Sequence, residues 1–191
     1  VARSWLGAGF AIGVLNLPKL GAGAALEGEL RVPGLFPIDF GLVYFFDNEA
    51  ALTRDELDLQ AHPLIGATFP PGGSRLRVNT AQLSAAACPY ERDMKPGSLL
   101  LCIGGQGGVI RVRGEGFVGE VDSTRGLFAL EAYARWHFPI SDTLGVSYSA
   151  GVFVPFVRDR FGYLNRHRAF TEKFRIAPVG GRLDLLLTYG F

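Results

Sequence analysis

The sequence predicts an all-β chain, a single antiparallel up-and-down transmembrane β-barrel of about eight strands, with residues 1–191 forming one domain. Three observations carry that expectation. Apolar and polar residues alternate with a period of two through most of the chain, as they do when successive side chains of a strand point to opposite faces. The composition of 26 glycines, 15 phenylalanines and one methionine favours strands, because glycine weakens helices and aromatic residues suit sheets. Although 48% of the residues are hydrophobic, no uncharged apolar run reaches the ~18 residues a membrane helix requires.

The strands follow in order. In the first, Leu6, Ala8, Phe10, Ile12 and Val14 oppose Gly7, Gly9, Ala11 and Gly13. From residue 23 to 32, Leu26, Leu30 and Val32 share one face and Glu27, Glu29 and Arg31 the other. Ile38, Phe40, Leu42, Tyr44 and Phe46 next oppose Asp39, Gly41, Val43 and Phe45. Two weaker segments, 75–88 and 98–113, complete the count; Gln82 falls in the one, Gln106 and Cys102 in the other. Between 127 and 138, Phe128, Leu130, Trp136 and Phe138 oppose Glu131, Tyr133, Arg135 and His137. The segment 144–156 alternates Val146, Tyr148, Val152 and Val154 with Gly145, Ser147, Ser149 and Gly151. At the end, Leu183, Leu185, Leu187, Tyr189 and Phe191 alternate with Arg182, Asp184, Thr188 and Gly190.

The second face decides which way the barrel is turned. A soluble ligand-binding barrel would bury Glu27, Glu29, Arg31, Glu131 and Arg135 in its core, at the cost of desolvating those charges. Turned inside out, bulky apolar side chains meet lipid, and a narrow lumen takes small residues and paired ions. Strands in lipid must also close on themselves, because no water is present to bond a free edge. Such barrels alternate short periplasmic turns with longer outer loops. The turns are expected at Pro33–Pro37, Pro89–Gly97 and Pro139–Thr143, and the loops at Asn16–Gly21, Asp47–Ser74, Gly114–Arg125 and Arg158–Pro178. Trp5, Trp136, Phe138, Tyr189 and Phe191 fall at the periplasmic ends, where an aromatic belt is expected.

Cys88 and Cys102 then lie on the inward face at the periplasmic ends of neighbouring strands. A cross-strand disulfide is the simpler reading and implies an oxidising compartment; two buried free thiols are the alternative. The pair is no CxxC and has no histidine cluster, so no metal site or cofactor is expected. Net charge is +1 with scattered basic residues, unlike the continuous basic stripe of a nucleic-acid binder. Lysine occurs only at Lys19, Lys95 and Lys173 and the other basic residues are arginine, which suits partly buried ion pairs.

The alternating strands and the closing Leu187-Thr188-Tyr189-Gly190-Phe191 resemble the small eight-stranded outer-membrane barrels of Gram-negative bacteria, the OmpA/OmpX-like class. In that class a terminal aromatic residue, with a second two places earlier, is read by the barrel-assembly machinery, and Tyr189 and Phe191 match. Leu186 stands where the class often has glycine. The resemblance implies a monomer in the outer membrane, in contact with lipid and lipopolysaccharide and exported with a signal peptide that this chain lacks.

The expected lumen network comprises Glu27, Glu29, Arg31, Asp39, Gln82, Glu131, Tyr133, Arg135, Arg182 and Asp184. Eight strands enclose a space just wide enough for side chains to fill it, so structural packing is expected, with a narrow pore as the alternative. Arg158, Arg160, Arg166 and Arg168, with His167, Lys173 and Arg175, face the side where lipopolysaccharide phosphates would lie; a solvated loop is the expected reading and charge-assisted phosphate contact the alternative. The loop 47–74 sets Glu49, Asp55, Glu56 and Asp58 beside Leu57, Leu59, Leu64, Ile65 and Phe69, which suits packing on the barrel rim. A lipid-A-editing enzyme would need a histidine beside a serine and an acid; neither His62 nor His167 has them, and His137 lies at the periplasmic end. Gly114-x-Gly116-x-x-Gly119 matches a dinucleotide fingerprint by letter, without the helix such a site requires. The expected role is structural or surface-interacting, with no catalysis.

Overall fold

The structure is a computed structural model that describes residues 4–14, 20–51, 75–115, 121–164 and 170–191. Eight strands close into one antiparallel barrel: β1 (Trp5–Val14), β2 (Gly21–Leu30), β3 (Ile38–Ala51), β4 (Arg75–Met94), β5 (Gly97–Glu115), β6 (Val121–Pro139), β7 (Leu144–Pro155) and β10 (Gly180–Gly190). Between β7 and β10, a separate hairpin of β8 (Arg160–Leu164) and β9 (Phe170–Arg175) falls within the expected loop 158–178. Closure comes from β1 pairing with β10, in a register that sets Ala8 opposite Leu187. Among the described residues no helix is long and apolar enough to cross a membrane.

The expected parity holds around the wall. Phe10 is 71% exposed on the outside, whereas Arg135 is 1% exposed in the lumen. Short connections gather at one end. In the β2–β3 turn, Gly34 takes a φ of +83° after Pro33 and the Leu35 N–H donates to the Val32 carbonyl at 3.0 Å; a type II turn asks for glycine there. Elsewhere glycine is needed for closeness: a Cβ on Gly104 would lie 2.1 Å from the Ala85 carbonyl oxygen.

Three strands run further than expected. The β4 strand does not stop at residue 88, because a bulge between Ala87 and Tyr90 takes up Pro89 and pairing with β5 resumes as far as Met94 opposite Gly97. A bulge leaves one residue outside the ladder, which a proline without an N–H can occupy. The expected link 89–97 is thus reduced to Lys95–Pro96. At the other end, β3 continues past a bulge between Phe45 and Asn48, and β6 begins at Val121 rather than 127.

At the long-connection end, the extra length of β3 and β6 goes with an inversion of polarity along the wall. Toward the long-connection end, the outward positions change from Ala81, Val109 and Phe128 to Asn79, Arg111 and Asp122, while Val78, Ile110 and Val112 are buried inside. Greasy-out alternation therefore stops before the strands do. A strand needs only ~9–11 residues to cross a bilayer, and β4, β5 and β6 have 20, 19 and 19. One further position departs from expectation. Trp5 is not part of an outer belt but is 5% exposed within the lumen, because it shares the odd parity of Gly7 and Gly9.

Leu185, on β10 opposite Phe10, lies in the middle of the apolar belt. Replacing it with arginine is expected to cost about 2–4 kcal/mol in phospholipid vesicles, measured by urea unfolding. An unchanged midpoint would mean that this face does not meet hydrocarbon.

Candidate functional site

The interior has two storeys. Toward the long-connection end, Val43, Phe45, Leu76, Val78, Ile110, Val112 and Leu127 form an apolar cluster together with Ile176 from the segment after β9. Below it lies the ionic network. The alternation puts Val43 and Phe45 on the inward face, but the plug was not foreseen, because its other large members Leu76, Val78, Ile110 and Val112 lie in the two segments whose alternation is weak.

Arg135 reaches across the lumen from β6 to the opposite wall. Its guanidinium lies 2.5 Å from Asp39 Oδ2 on β3 and donates to Glu27 Oε2 on β2 at 2.8 Å. Glu29 Oε2 is 3.9 Å away. Trp5 and Tyr133 present ring faces to the same guanidinium at 4.8 and 5.4 Å, an arrangement that stabilises a desolvated cation. The Tyr133 hydroxyl donates to Asp39 Oδ2 at 2.7 Å. Arg182 on β10 donates to Asp184 Oδ2 at 2.9 Å and to Glu27 Oε1 at 3.5 Å, and Ser149 donates to Asp184 at 2.8 Å. At the short-turn rim, Arg31 pairs with Glu29 and bonds both carboxylate oxygens of Glu91, at 2.9 and 2.7 Å.

Nine of the ten expected lumen residues are thus joined in one region or line it, with Arg31 at its mouth. Gln82 is also inward and buried, but neither end of its amide has a hydrogen-bond partner among the described residues. The same holds for Gln106, for Ser147 Oγ and for Glu131 Oε1. Glu131 borders a cavity of about 10 Å³ shared with Ser149, Arg182 and Asp184, about the room one water needs. Reading the sequence missed Trp5, as above, and Glu91, which was placed in a link; its position opposite Leu100 follows only from the bulge.

Cys88 and Cys102 form a disulfide across β4 and β5. Its sulfur atoms lie 3.3 and 3.5 Å from Asp39 Oδ2. These three residues are the one group of potential metal ligands among the described residues, and the S–S bond leaves neither thiolate free to bind an ion. His137 stands opposite Ser147 in the β6–β7 register and stacks on Trp5 at 5.9 Å. Its Nδ1 and the serine Oγ are both without hydrogen-bond partners among the described residues, so no relay joins them.

Of the basic outer segment, Arg158 is exposed and donates to the Ile176 carbonyl at 3.5 Å, and Arg160 begins β8. Arg166, His167 and Arg168 lie outside the described residues, as do His62, Gly116, Gly119 and the loop residues 55–69; Lys173 is described only in its backbone.

No protein-family model and no curated protein sequence matches the chain. Solved structures do. A major outer membrane protein from Thermus thermophilus aligns with a TM-score of 0.58 at 13% identity, covering 100% of both chains. The fold is that of the small outer-membrane barrels. The attachment invasion locus protein Ail of Yersinia pestis, in complex with the heparin analogue sucrose octasulfate, aligns with a TM-score of 0.53 at 10% identity over 98% of this chain and 96% of its own.

Two outcomes check the network. Arg135→Met leaves Asp39 and Glu27 buried without their main counterion and is expected to lower stability by about 3–5 kcal/mol in urea; adding Asp39→Asn and Glu27→Gln should restore much of it. Replacing both cysteines with serine frees a loop of sequence separation 14, with an expected loss of about 3 kcal/mol.

Proposed function

We propose that the protein is an integral outer-membrane barrel with a closed lumen, which acts by contact at its long-connection end and carries out no catalysis. The observation that carries this reading is the two-way placement of polarity. Through the belt, apolar side chains face out and ions face in; beyond it, on β3 to β6, charges face out and Leu76, Val78, Ile110 and Val112 face in. A wall built that way suits lipid over one stretch and water over the next.

The extended ends of β3, β5 and β6, together with the β8–β9 hairpin, then project outside the cell, and the short turns lie in the periplasm. The disulfide near the turn end fits that oxidising space. Tyr189 and Phe191, both exposed on the lipid side, serve in this reading as the segment recognised by the assembly machinery, and the barrel works as a monomer. The complex of Ail with a sulfated heparin analogue supports a surface-contact role for a barrel of this shape.

A narrow pore is disfavoured by the two storeys in series, the apolar cluster above Arg135 and Arg182. Refolded into phospholipid vesicles, the protein should show a heat-modifiable gel mobility that depends on detergent or lipid. In planar bilayers it should give no single-channel steps. Folding in plain buffer would remove the membrane reading, and steady conductance would remove the closed lumen.

A further inference from the structure

We propose that the outward face of β4 and β5 just beyond the apolar belt binds the anionic phosphate of an outer-leaflet lipid headgroup, between Arg77 and Arg113. The proposal rests on the outer-membrane reading above and adds a site to it.

The level of these residues is set by the wall itself. Going outward along β4, the outward-facing positions pass from Leu83 through Ala81 to Asn79, Arg77 and Arg75; along β5 they pass from Val109 to Arg111 and Arg113. The arginines begin where the apolar side chains end. Val78, Ile110 and Val112 fill the inner side at that height, so the guanidiniums are confined to the outer surface. In a membrane this is the level of headgroup phosphates.

The cross-strand register then sets two like charges side by side. Arg77 is directly opposite Arg113, and the row continues to Glu49 on β3 and Asp122 on β6. Like charges directly opposite each other are destabilising in a sheet. Glu49 is shared between Arg77 and Arg75, each at 3.2 Å. Asp122 accepts from Arg111 Nε at 3.1 and 3.2 Å, whereas Arg113 comes only within 3.9 Å of it. The Asp122 carboxylate is thus committed to Arg111. Asp47 accepts from Asn79 at 2.9 Å instead of from an arginine. The side chain of Arg113 remains 50% exposed beside Arg77.

A phosphate seated between the two guanidiniums would accept charge-assisted, fork-like hydrogen bonds from both and screen their repulsion. Past the Asn79–Arg111 pair the outward surface becomes apolar, with Val109 opposite Ala81 and then Leu83, which offers an acyl chain a path a free anion would not use. That continuity commits the site to a lipid and not to dissolved phosphate.

The test uses the refolded barrel in neutral-detergent micelles, with its thermal unfolding midpoint read after adding dihexanoyl phosphatidic acid, dihexanoyl phosphatidylcholine or inorganic phosphate at equal concentration. Phosphatidic acid should raise the midpoint of the wild type and of the turn-end control Arg92→Gln. In Arg77→Gln/Arg113→Gln most of that rise should vanish, and Arg113→Gln alone should lose part of it, which keeps the test intact if the double variant folds poorly. Phosphatidylcholine and inorganic phosphate should produce little change. A rise preserved in the double variant, no rise in the wild type, or an equal rise with inorganic phosphate would each overturn the site. Heat-modifiable mobility, recorded on the same samples, separates failure of the site from failure of the barrel.

Discussion

Eight strands can close without a free edge only if the space inside them is filled, and Arg135 does much of that filling. It stands on β6, diametrically opposite β2 in the strand order, and its ion pairs with Glu27 and Asp39 join the two sides of the barrel. Desolvating a guanidinium this deeply is costly unless its hydrogen bonds and neighbouring charges compensate. Here two carboxylates and two aromatic faces do so. The same Asp39 also takes the Tyr133 hydroxyl and lies against the disulfide. The ion pairs, the rings and the covalent link thus converge on one carboxylate.

The change of polarity along β3 to β6 gives the barrel its place in a layered environment. A strand that stays greasy outside along its full length says only that it meets lipid. A strand whose two faces exchange character part-way marks the height at which lipid gives way to water. Tyr44 and Phe46, in edge contact at 5.9 Å on β3, sit just below that change, where aromatic side chains favour the interface. The apolar cluster is the interior counterpart of this boundary: it fills the part of the barrel whose outer wall carries charges, as the core of any soluble sheet would.

Much of this was legible in the sequence, for a physical reason. Where one face meets lipid and the other a narrow lumen, side-chain period and environment coincide, so β1, β2, β3, β6, β7 and β10 were visible as alternation and their inward ions could be assigned. The disulfide followed from the shared parity of Cys88 and Cys102. Legibility failed where the environment changed without a change of strand. The upper end of β6 read as a loop because Asp122 and Thr124 face outward there, although pairing with β5 runs on to Val121. Pro89 read as a turn although a bulge accommodates it. Trp5 read as a belt residue because tryptophan is common at interfaces, whereas its position beside Gly7 decides its direction. The geometry of the ion pairs was beyond pattern reading, since which carboxylate meets which guanidinium depends on how far neighbouring strands slide past one another.

The apolar cluster also bears on how freely the exterior can change. Among the described residues its stopper is made by wall residues of β1 to β7 and β10, with Ile176 and Ala177 from the connection before β10. In the proposed orientation, the outward charges of β3 to β6 can therefore change over generations while the stopper stays in place. On the outer-membrane reading proposed above, those faces can alter their outer appearance without making the envelope leak.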